Sequence, residues 1–512
     1  MYMCCSLIRI EMQVPCQWLR GLRGVKLLRN LHRRYSQDRF ANNSHHNSHS
    51  SLRSHLCGEL RASHIGKNVV LCGWLHKMRL VGKRGPLFIP LKDHTGVIQL
   101  ITTKDHNLLT KLSQLPTESV VSVHGCVQSR PQQDKNSDMP TGDVEVLVDN
   151  VEVLNEASQN LPFSTADLSV PVGHELQMEY RPLYLRKSST QDIIRLRSKV
   201  AMAARNYLET LHGFVDIETP TLFKRTPEGA REFIVPTRSP GKFYALAQSP
   251  QQFKQLLMVG GFDRYYQFAR CYRDEDMKSD RQPEFTQIDL EMAFVTQEDI
   301  ITLTEGLVAH IFANVLPSRP QPQIPFPRLT HAKAMETYNS DKPKIGEEEF
   351  NFLWVVDFPL FTRCPSTGML ESSHHPFTAP QPDDVTLVST SPEKVRGLHY
   401  DLVCNGVELG GGSIRIHDAV LQEYILSNIL KVKDIGVFSH LLKGLRMGCP
   451  PHGGIALGFD RLIAILCGGI PLTDTIAFPK AAHGNDLMCK APSSLPQDVL
   501  DMYHIRVKKE DS

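Results

Sequence analysis

The chain reads as α+β, a small β-barrel followed by a larger domain in which helices and strands mix. Three observations predict this. Between Leu56 and Leu154 lie five short segments of alternating apolar character, VVLCGWL, PLFIPL, VIQLIT, VVSVHGCV and VEVLVDNVEVL. After residue 188 the apolar spacing becomes helical, through Ile193, Leu196, Val200, Ala203, Tyr207 and Leu211, before Gly213 and a strand-like FVDIETP. Residues Arg270–Glu291 then read RCYRDEDMKSDRQPEFTQIDLE, two strand-like ends joined by a polar loop.

The first 55 residues stand apart. Residues 1–40 carry eight basic side chains (Arg9, Arg20, Arg23, Lys26, Arg29, Arg33, Arg34, Arg39) against Glu11 and Asp38, a net +6 beside +2 for the whole chain, which leaves about −4 for the remainder. Trp18, Leu22, Val25, Leu28 and Leu31 recur near the helical period among those charges. An Arg-rich, amphipathic, acid-poor leader predicts a mitochondrial presequence, the alternative being the basic tail of a cytosolic protein that touches RNA nonspecifically. Residues 41–55 (ANNSHHNSHSSLRSH) are polar and of low complexity, so they read as a linker, and their histidines lack the fixed neighbours a metal site needs. The remainder, being mildly acidic, must meet any nucleic acid through local basic patches. No apolar run reaches the roughly 18 residues that span a bilayer, so no membrane partner is expected. The 12 cysteines form no CxxC pair, which argues for reduced thiols and against structural zinc.

Five short strands in about a hundred residues suggest a barrel of the OB type, a platform on which aromatic rings stack on single-stranded bases. DHTG at 93–96 predicts a turn, and Pro90, inside a strand pattern, is expected at an edge or bulge. Residues 156–188 form a connector, after which Ser189 and Thr190 are expected to cap the helix. In the charged segment, Arg270, Arg273, Lys278 and Arg281 stand among seven carboxylates, directly ahead of the alternating Phe285, Ile288 and Leu290. A merely solvated charge run has no reason to lead into a half-buried strand. Cations fixed beside carboxylates suit phosphate handling and metal-assisted nucleotide chemistry.

Seven segments, in order, carry a family resemblance running from about Leu56 to about Val507. The charged segment resembles motif 2 of the class II aminoacyl-tRNA synthetases, in the form of the bacterial and organellar aspartyl enzymes. GFVDIETPTL (213–222) resembles motif 1 and GIALGFDRL (454–462) motif 3. QSPQQFKQLLM (248–258), SSHHPFTAP (372–380), YDLVCNGVELGGGSIRIH (400–417) and IAFPK (476–480) belong to the same set. The resemblance implies an OB-fold anticodon-binding domain at 56–155, a hinge at 156–188, and at 189–512 a catalytic domain built on an antiparallel sheet flanked by helices. It also implies a homodimer, formed through motif 1, in the mitochondrial matrix.

The implied activity joins aspartate to the α-phosphate of ATP, then passes the aspartyl group to the 3′ end of tRNA(Asp), with Mg²⁺ as cofactor. By the same resemblance Arg273 bridges the α-phosphate and the substrate carboxylate, and Glu275, Gln282 and Phe285 meet the nucleotide. Arg461, preceded by Gly458 and Asp460, clamps the triphosphate, while Asp401 and Glu408 hold the metal. Lys254 and Arg415 are the cations that select a side-chain carboxylate. Glu228, Ser249, Gln251 and Asp289 surround the α-amino group, and His374 closes over the amino acid. Arg79, Phe88, Gln99 and Glu145 read the anticodon. A lysine-activating relative needs acids at 254 and 415, and an asparagine-activating one has no use for two cations on an amide. The full catalytic set also argues against a noncatalytic RNA-binding relative.

Two departures from the pattern are legible. The large insertion domain of bacterial-type members is missing near 343–351, where SDKPK (340–344) passes through IGEEEFN to FLWVVDFPLF (352–361). RPLYLR (181–186) stands where the family has RYLDLR, so Pro182 and Tyr184 replace an aromatic and an acid at the hinge.

Overall fold

A computed structural model describes residues 51–82, 86–102, 106–165, 172–226, 229–275 and 280–508. The leader at 1–50 and Glu228 therefore lie outside the described residues. The chain divides into two units, Met1–Leu161 and Pro162–Ser512.

In the first unit the alternating segments form β1 (Asn68–Leu75), β2 (Arg79–Leu80), β3 (Leu87–Lys92), β4 (Val97–Thr102), β5 (Val120–Ser129) and β6 (Val144–Asn155). They pair in the order β1-β5-β6-β4-β3-β2, with β4 and β6 parallel. Trp74 opposite Lys92 and Leu75 opposite Leu91 join β1 to β3 and close the barrel. Every second residue points inward, so Val69, Leu71, Leu75, Ile89, Leu91, Ile98 and Leu100 share one core. The turn at 93–96 is held by Asp93, whose Oδ1 accepts from the amide and hydroxyl of Thr95 and from the amide of Gly96. A helix unforeseen from the strand pattern, α1 (His106–Ser113), adds Leu108 and Leu112 to the core. Pro90 is neither at an outer edge nor on a bulge. It lies within β3 opposite Gln99, and its carbonyl accepts from His76, so its missing N–H falls where β1 has ended and β2 has not begun.

In the second unit the helical spacing forms α2 (Ser188–Arg205), which widens into a π turn at Asn206–Leu211. The helix starts one residue ahead of the expected caps: Lys187 is the cap residue, and Ser189 and Thr190 lie in the first turn. Thr190 instead bonds the Tyr184 hydroxyl. Gly213, at φ +67°, turns the chain out of the helix, its amide donating to the Glu209 carbonyl. Next come α3 (Gln251–Val259), α4 (Gln297–Val315), opened by a reciprocal Thr296–Asp299 cap, and α5 (Phe459–Leu466).

Eight strands of the described residues form the main sheet: β7 (Val215–Asp216), β8 (Arg264–Tyr272), β9 (Glu284–Ala293), β10 (Arg328–Thr330), β11 (Phe352–Val356), β12 (His399–Cys404), β13 (Val407–Ile414) and β14 (His452–Gly458). Their order is β10-β11-β12-β13-β14-β9-β8-β7. The central pairings are antiparallel, and the outermost on each side, β10–β11 and β7–β8, are parallel.

The period of two sorts β9. Ile288, Leu290 and Met292 pack on the core shared with α2, α4 and α5, while Gln287 and Asp289 face a cavity and Glu291 lies on their side. The connection between the helix His331–Tyr338 and β11 is packed. Phe350 is buried edge-on against Phe312, 4.9 Å between centroids, and the Asn351 amide donates to Asn405 Oδ1 at 3.0 Å. At RPLYLR, Pro182 sits in the first turn of a short helix, where a missing N–H costs little. Arg181 is buried and donates to the carbonyls of Thr473, Ile476 and Ala477.

Candidate active site

The cavity on the sheet face away from the core holds about 630 Å³. Its floor is a buried charge cluster. From α3, Lys254 Nζ reaches Asp289 Oδ1 at 2.6 Å and Glu291 Oε2 at 3.3 Å, both carboxylates on β9. Arg415, just past β13, grips Glu291 through Nε at 2.9 Å and Nη2 at 3.1 Å, and its Nη1 donates to Ser413 Oγ at 2.7 Å. All four charged groups are at most 2% exposed. Burial opposes ionisation of Glu291, yet Arg415 and Lys254 hold its carboxyl down to about 2. Burial pushes the Asp289 carboxyl up, with Lys254 opposing. Small residues make room for this cluster: a Cβ at Gly454 would come within 2.2 Å of Glu291 Oε2 and 2.1 Å of the Leu290 carbonyl.

Three polar atoms lining this region have no hydrogen-bond partner: Asp289 Oδ2, Gln251 Nε2 and Arg273 Nε. The nearby Tyr265 hydroxyl donates to Gln267 at 2.9 Å. One unmet acceptor and two unmet donors are the complement of an ammonium and a carboxylate. Ser249 and His374 line the same space. His374 stacks 5.4 Å from His399, and its enclosing walls, then His399, His375, Arg415 and Lys254, push its pKa well below the ordinary value. The ring faces the open cavity and is itself exposed to solvent.

Toward the other end of the cavity, Arg273 Cζ lies 5.2 Å from the Phe285 ring centroid. Glu275 pairs with Arg281 at 2.6 Å. Arg461 Nη1 donates to the Glu408 carbonyl at 2.6 Å, so it is not spent on Asp460. Asp460 accepts from Arg197 at 2.5 Å and from the Thr286 amide at 2.8 Å, which ties α5 to α2 and β9. Gln282 is similarly occupied: it exchanges hydrogen bonds with the Lys480 backbone at 3.1 and 2.9 Å, pinning the IAFPK segment. Gly458 lines the cavity between them.

Asp401 is buried under Gly411, its cross-strand neighbour, and a Cβ there would meet Asp401 Oδ1 at 2.5 Å. That oxygen has no hydrogen-bond partner, and burial followed by the Glu408 charge pushes the carboxyl well up. Among the described residues no three His, Cys, Asp or Glu side chains group as a metal site. An orphaned carboxylate oxygen beside one further carboxylate fits Mg²⁺, which takes one or two protein carboxylates and completes its shell with phosphates and water.

Every sequence-predicted catalytic, amino-acid and nucleotide residue that is described lines this one cavity, and the metal candidate Asp401 lies directly beneath it. Glu291 and Lys342 were not anticipated. In the barrel, Arg79 lies opposite Phe88 with its guanidinium carbon 5.5 Å from the ring centroid. Glu145 accepts from Gln99 at 2.7 Å and from Gln128 at 2.9 Å.

Residues 173–482 match the family described as tRNA synthetases class II (D, K and N), and residues 69–154 match the OB-fold nucleic acid binding domain. The mitochondrial aspartate–tRNA ligase of Homo sapiens is 41% identical, the match covering 90% of this chain and 91% of that protein. The chain belongs to the aspartate–tRNA ligase family. A bacterial member of the family, from Bacteroides fragilis, is 36% identical, with 89% of this chain and 99% of the relative covered. The human alignment runs over 598 positions, more than the 512 residues here, so that family member has residues with no counterpart in this chain. Among solved structures, asparaginyl-tRNA synthetase from Pyrococcus horikoshii complexed with asparaginyl-adenylate superposes with a TM-score of 0.68 at 23% identity. It shares the fold, and 98% of it is covered by 84% of this chain.

Proposed function

We propose that this chain is an aspartate–tRNA ligase of mitochondrial translation, which activates L-aspartate with ATP and transfers it to tRNA(Asp). The observation that carries the reading is the charge balance of the cavity floor. Lys254 and Arg415 of the floor, joined by Arg273 from the nucleotide end, supply three positive charges against Asp289 and Glu291, a surplus of one among the described residues, from which Glu228 is absent. Aspartate brings two carboxylates and one ammonium, a net −1, and neutralises that surplus. Asparagine leaves it uncompensated, which is costly where water is excluded.

Asp289 Oδ2 accepts the substrate ammonium, whose charge counters the upward pressure on that carboxyl. Arg415 and Lys254 take the side-chain carboxylate. Arg273 draws the α-carboxylate and the α-phosphate together, because a guanidinium bonds two oxyanions at once. The carboxylate oxygen then attacks α-phosphorus and pyrophosphate leaves, with Arg461 against the departing phosphates. In the second step the terminal ribose hydroxyl of the tRNA attacks the activated carbonyl and AMP leaves. Both steps rest on positioning anions against their mutual repulsion. Mg²⁺ held by Asp401 and Glu408 supplies further charge neutralisation at the phosphates when bound. Phe285 stacks on the adenine, Glu275 meets its amino group, and a neutral His374 covers the amino acid without adding charge.

Phe88, with Arg79, Gln99 and Glu145, is the anticodon surface. The exposed apolar residues Met202, Leu211, Val215 and Phe294, around motif 1 and the sheet edge at β7, are read as the homodimer face. The leader directs the protein to the matrix, and residues 1–55 fused to a fluorescent reporter test this, a diffuse cytosolic signal refuting it. No described helix is long and apolar enough to cross a membrane.

The functional test is charging of a tRNA(Asp) transcript with labelled aspartate, alongside a tRNA lacking the aspartate anticodon. Charging of tRNA(Asp) in preference to the control supports the proposal. No charging by a folded protein that binds both substrates refutes it.

A further inference from the structure

Lys342 reaches the nucleotide end of the cavity from outside every motif segment. It follows the helix His331–Tyr338, in the connection leading to β11. Its amide donates to Ser340 Oγ at 3.0 Å. The chain from 342 to 344 lies against the turn between β12 and β13: a Cβ at Gly406, where φ is +82°, would sit 3.5 Å from Lys344 Cβ and 3.7 Å from the Lys342 carbonyl. From there Lys342 Nζ extends to within 2.7 Å of Glu408 Oε2, and the side chain lines the cavity that also holds Arg461 and Arg273.

The pair that Lys342 serves is otherwise short of positive charge. Asp401 Oδ1 is buried without a hydrogen-bond partner beneath Gly411, on the strand paired with the one that carries Glu408. Arg461 meets Glu408 through its backbone carbonyl only, so it does not neutralise this carboxylate. The Lys342 ammonium therefore stands where the two carboxylates call for a cation. Its side chain is 40% exposed, on a long flexible stem that can swing into the cavity.

We propose that Lys342 is a built-in counter-ion that alternates between Glu408 and the ATP polyphosphate. In the free enzyme it keeps the Asp401–Glu408 pair from taking a divalent cation without nucleotide. When nucleotide and metal arrive together, the carboxylates pass to the metal and the ammonium passes to the phosphates. The proposal rests on the ATP-dependent reading above.

The test is Mn²⁺ binding to the nucleotide-free protein, followed by electron paramagnetic resonance of the free ion. Wild type, Lys342→Met and Lys342→Arg are compared. A neighbouring opposite charge shifts a carboxylate's affinity for a proton by about tenfold or more, and the same scale applies to a cation here. Lys342→Met is therefore expected to bind Mn²⁺ roughly tenfold more tightly than wild type, with Lys342→Arg staying near wild type. Its affinity for ATP in the presence of a chelator is expected to fall. Equal or weaker Mn²⁺ affinity in Lys342→Met overturns the proposal. So does tightening in Lys342→Arg equal to that in Lys342→Met, which would signal lost structure and not lost charge. Aspartate-dependent exchange by wild type reports the functional reading separately, since cation exclusion is measured without it.

Discussion

Replacing Glu291 with Gln isolates one buried charge at the centre of the site. The carboxylate accepts from Arg415 at 2.9 and 3.1 Å and pairs with Lys254 at 3.3 Å, with no side-chain exposure. Its carboxyl is held at about 2, against an ordinary value of 4.5. At about 1.36 kcal/mol per pH unit, that difference is worth about 3 kcal/mol of folding stability at neutral pH. Breaking a buried ion pair by removing one partner typically costs about 3–5 kcal/mol, and an amide that still accepts from Arg415 belongs at the low end. The two routes agree. Because the folded value is depressed, the stabilisation is complete above about pH 5 and is lost as the pH falls toward 2. Denaturant melts of wild type and Glu291→Gln should therefore differ by about 3 kcal/mol at pH 7 and converge in acid. The aspartate KM should rise, since Arg415 loses its orienting partner. A stability gap that is absent at pH 7, or that does not shrink in acid, would refute the reasoning.

Arg415→Leu should reduce aspartate-dependent pyrophosphate exchange on the order of a hundredfold or more while leaving ATP binding intact, as read by exchange kinetics and nucleotide titration. Gly411→Ala puts a Cβ 2.5 Å from Asp401 Oδ1 and 3.3 Å from His374 Nε2. Overpacking of this kind costs about 1–3 kcal/mol of stability, so the melting midpoint should fall while the protein still folds, and exchange should slow because Asp401 and His374 are displaced. Phe88→Ala should raise the tRNA KM about five- to a hundredfold, the value of one base stack, and leave exchange unaltered.

Local patterns made the scaffold legible. The period of two exposed all five long barrel strands and the core-facing Ile288 and Leu290 of β9, whereas Phe285, read in the same run, lines the cavity; the helical period exposed α2. The charge density of Arg270–Glu291 marked the site because carboxylates on the cavity face alternate with Ile288 and Leu290 on the core face. What stayed hidden depends on distant partners. Glu291 acquires its meaning from Arg415, 124 positions away, and Asp460 from Arg197, 263 positions away. The partner of the Gln282 amide, the Lys480 carbonyl, lies 198 positions on. Lys342 sits in a connection whose charges (Asp341, Lys344 and Glu347–Glu349) match no motif of the site, so only the fold brings it to Glu408. Pro90 was misjudged because the gap between β1 and β2, which excuses its missing donor, is a property of barrel closure.

The central claim is that the two buried cations of the cavity floor, Lys254 and Arg415, select aspartate. ATP–pyrophosphate exchange by the full-length protein, run in parallel with aspartate and asparagine, tests it most directly. The account predicts exchange with aspartate, and a kcat/KM for asparagine lower by roughly a hundredfold or more. Comparable exchange with both amino acids, or none with aspartate from a folded protein that binds ATP, would contradict it.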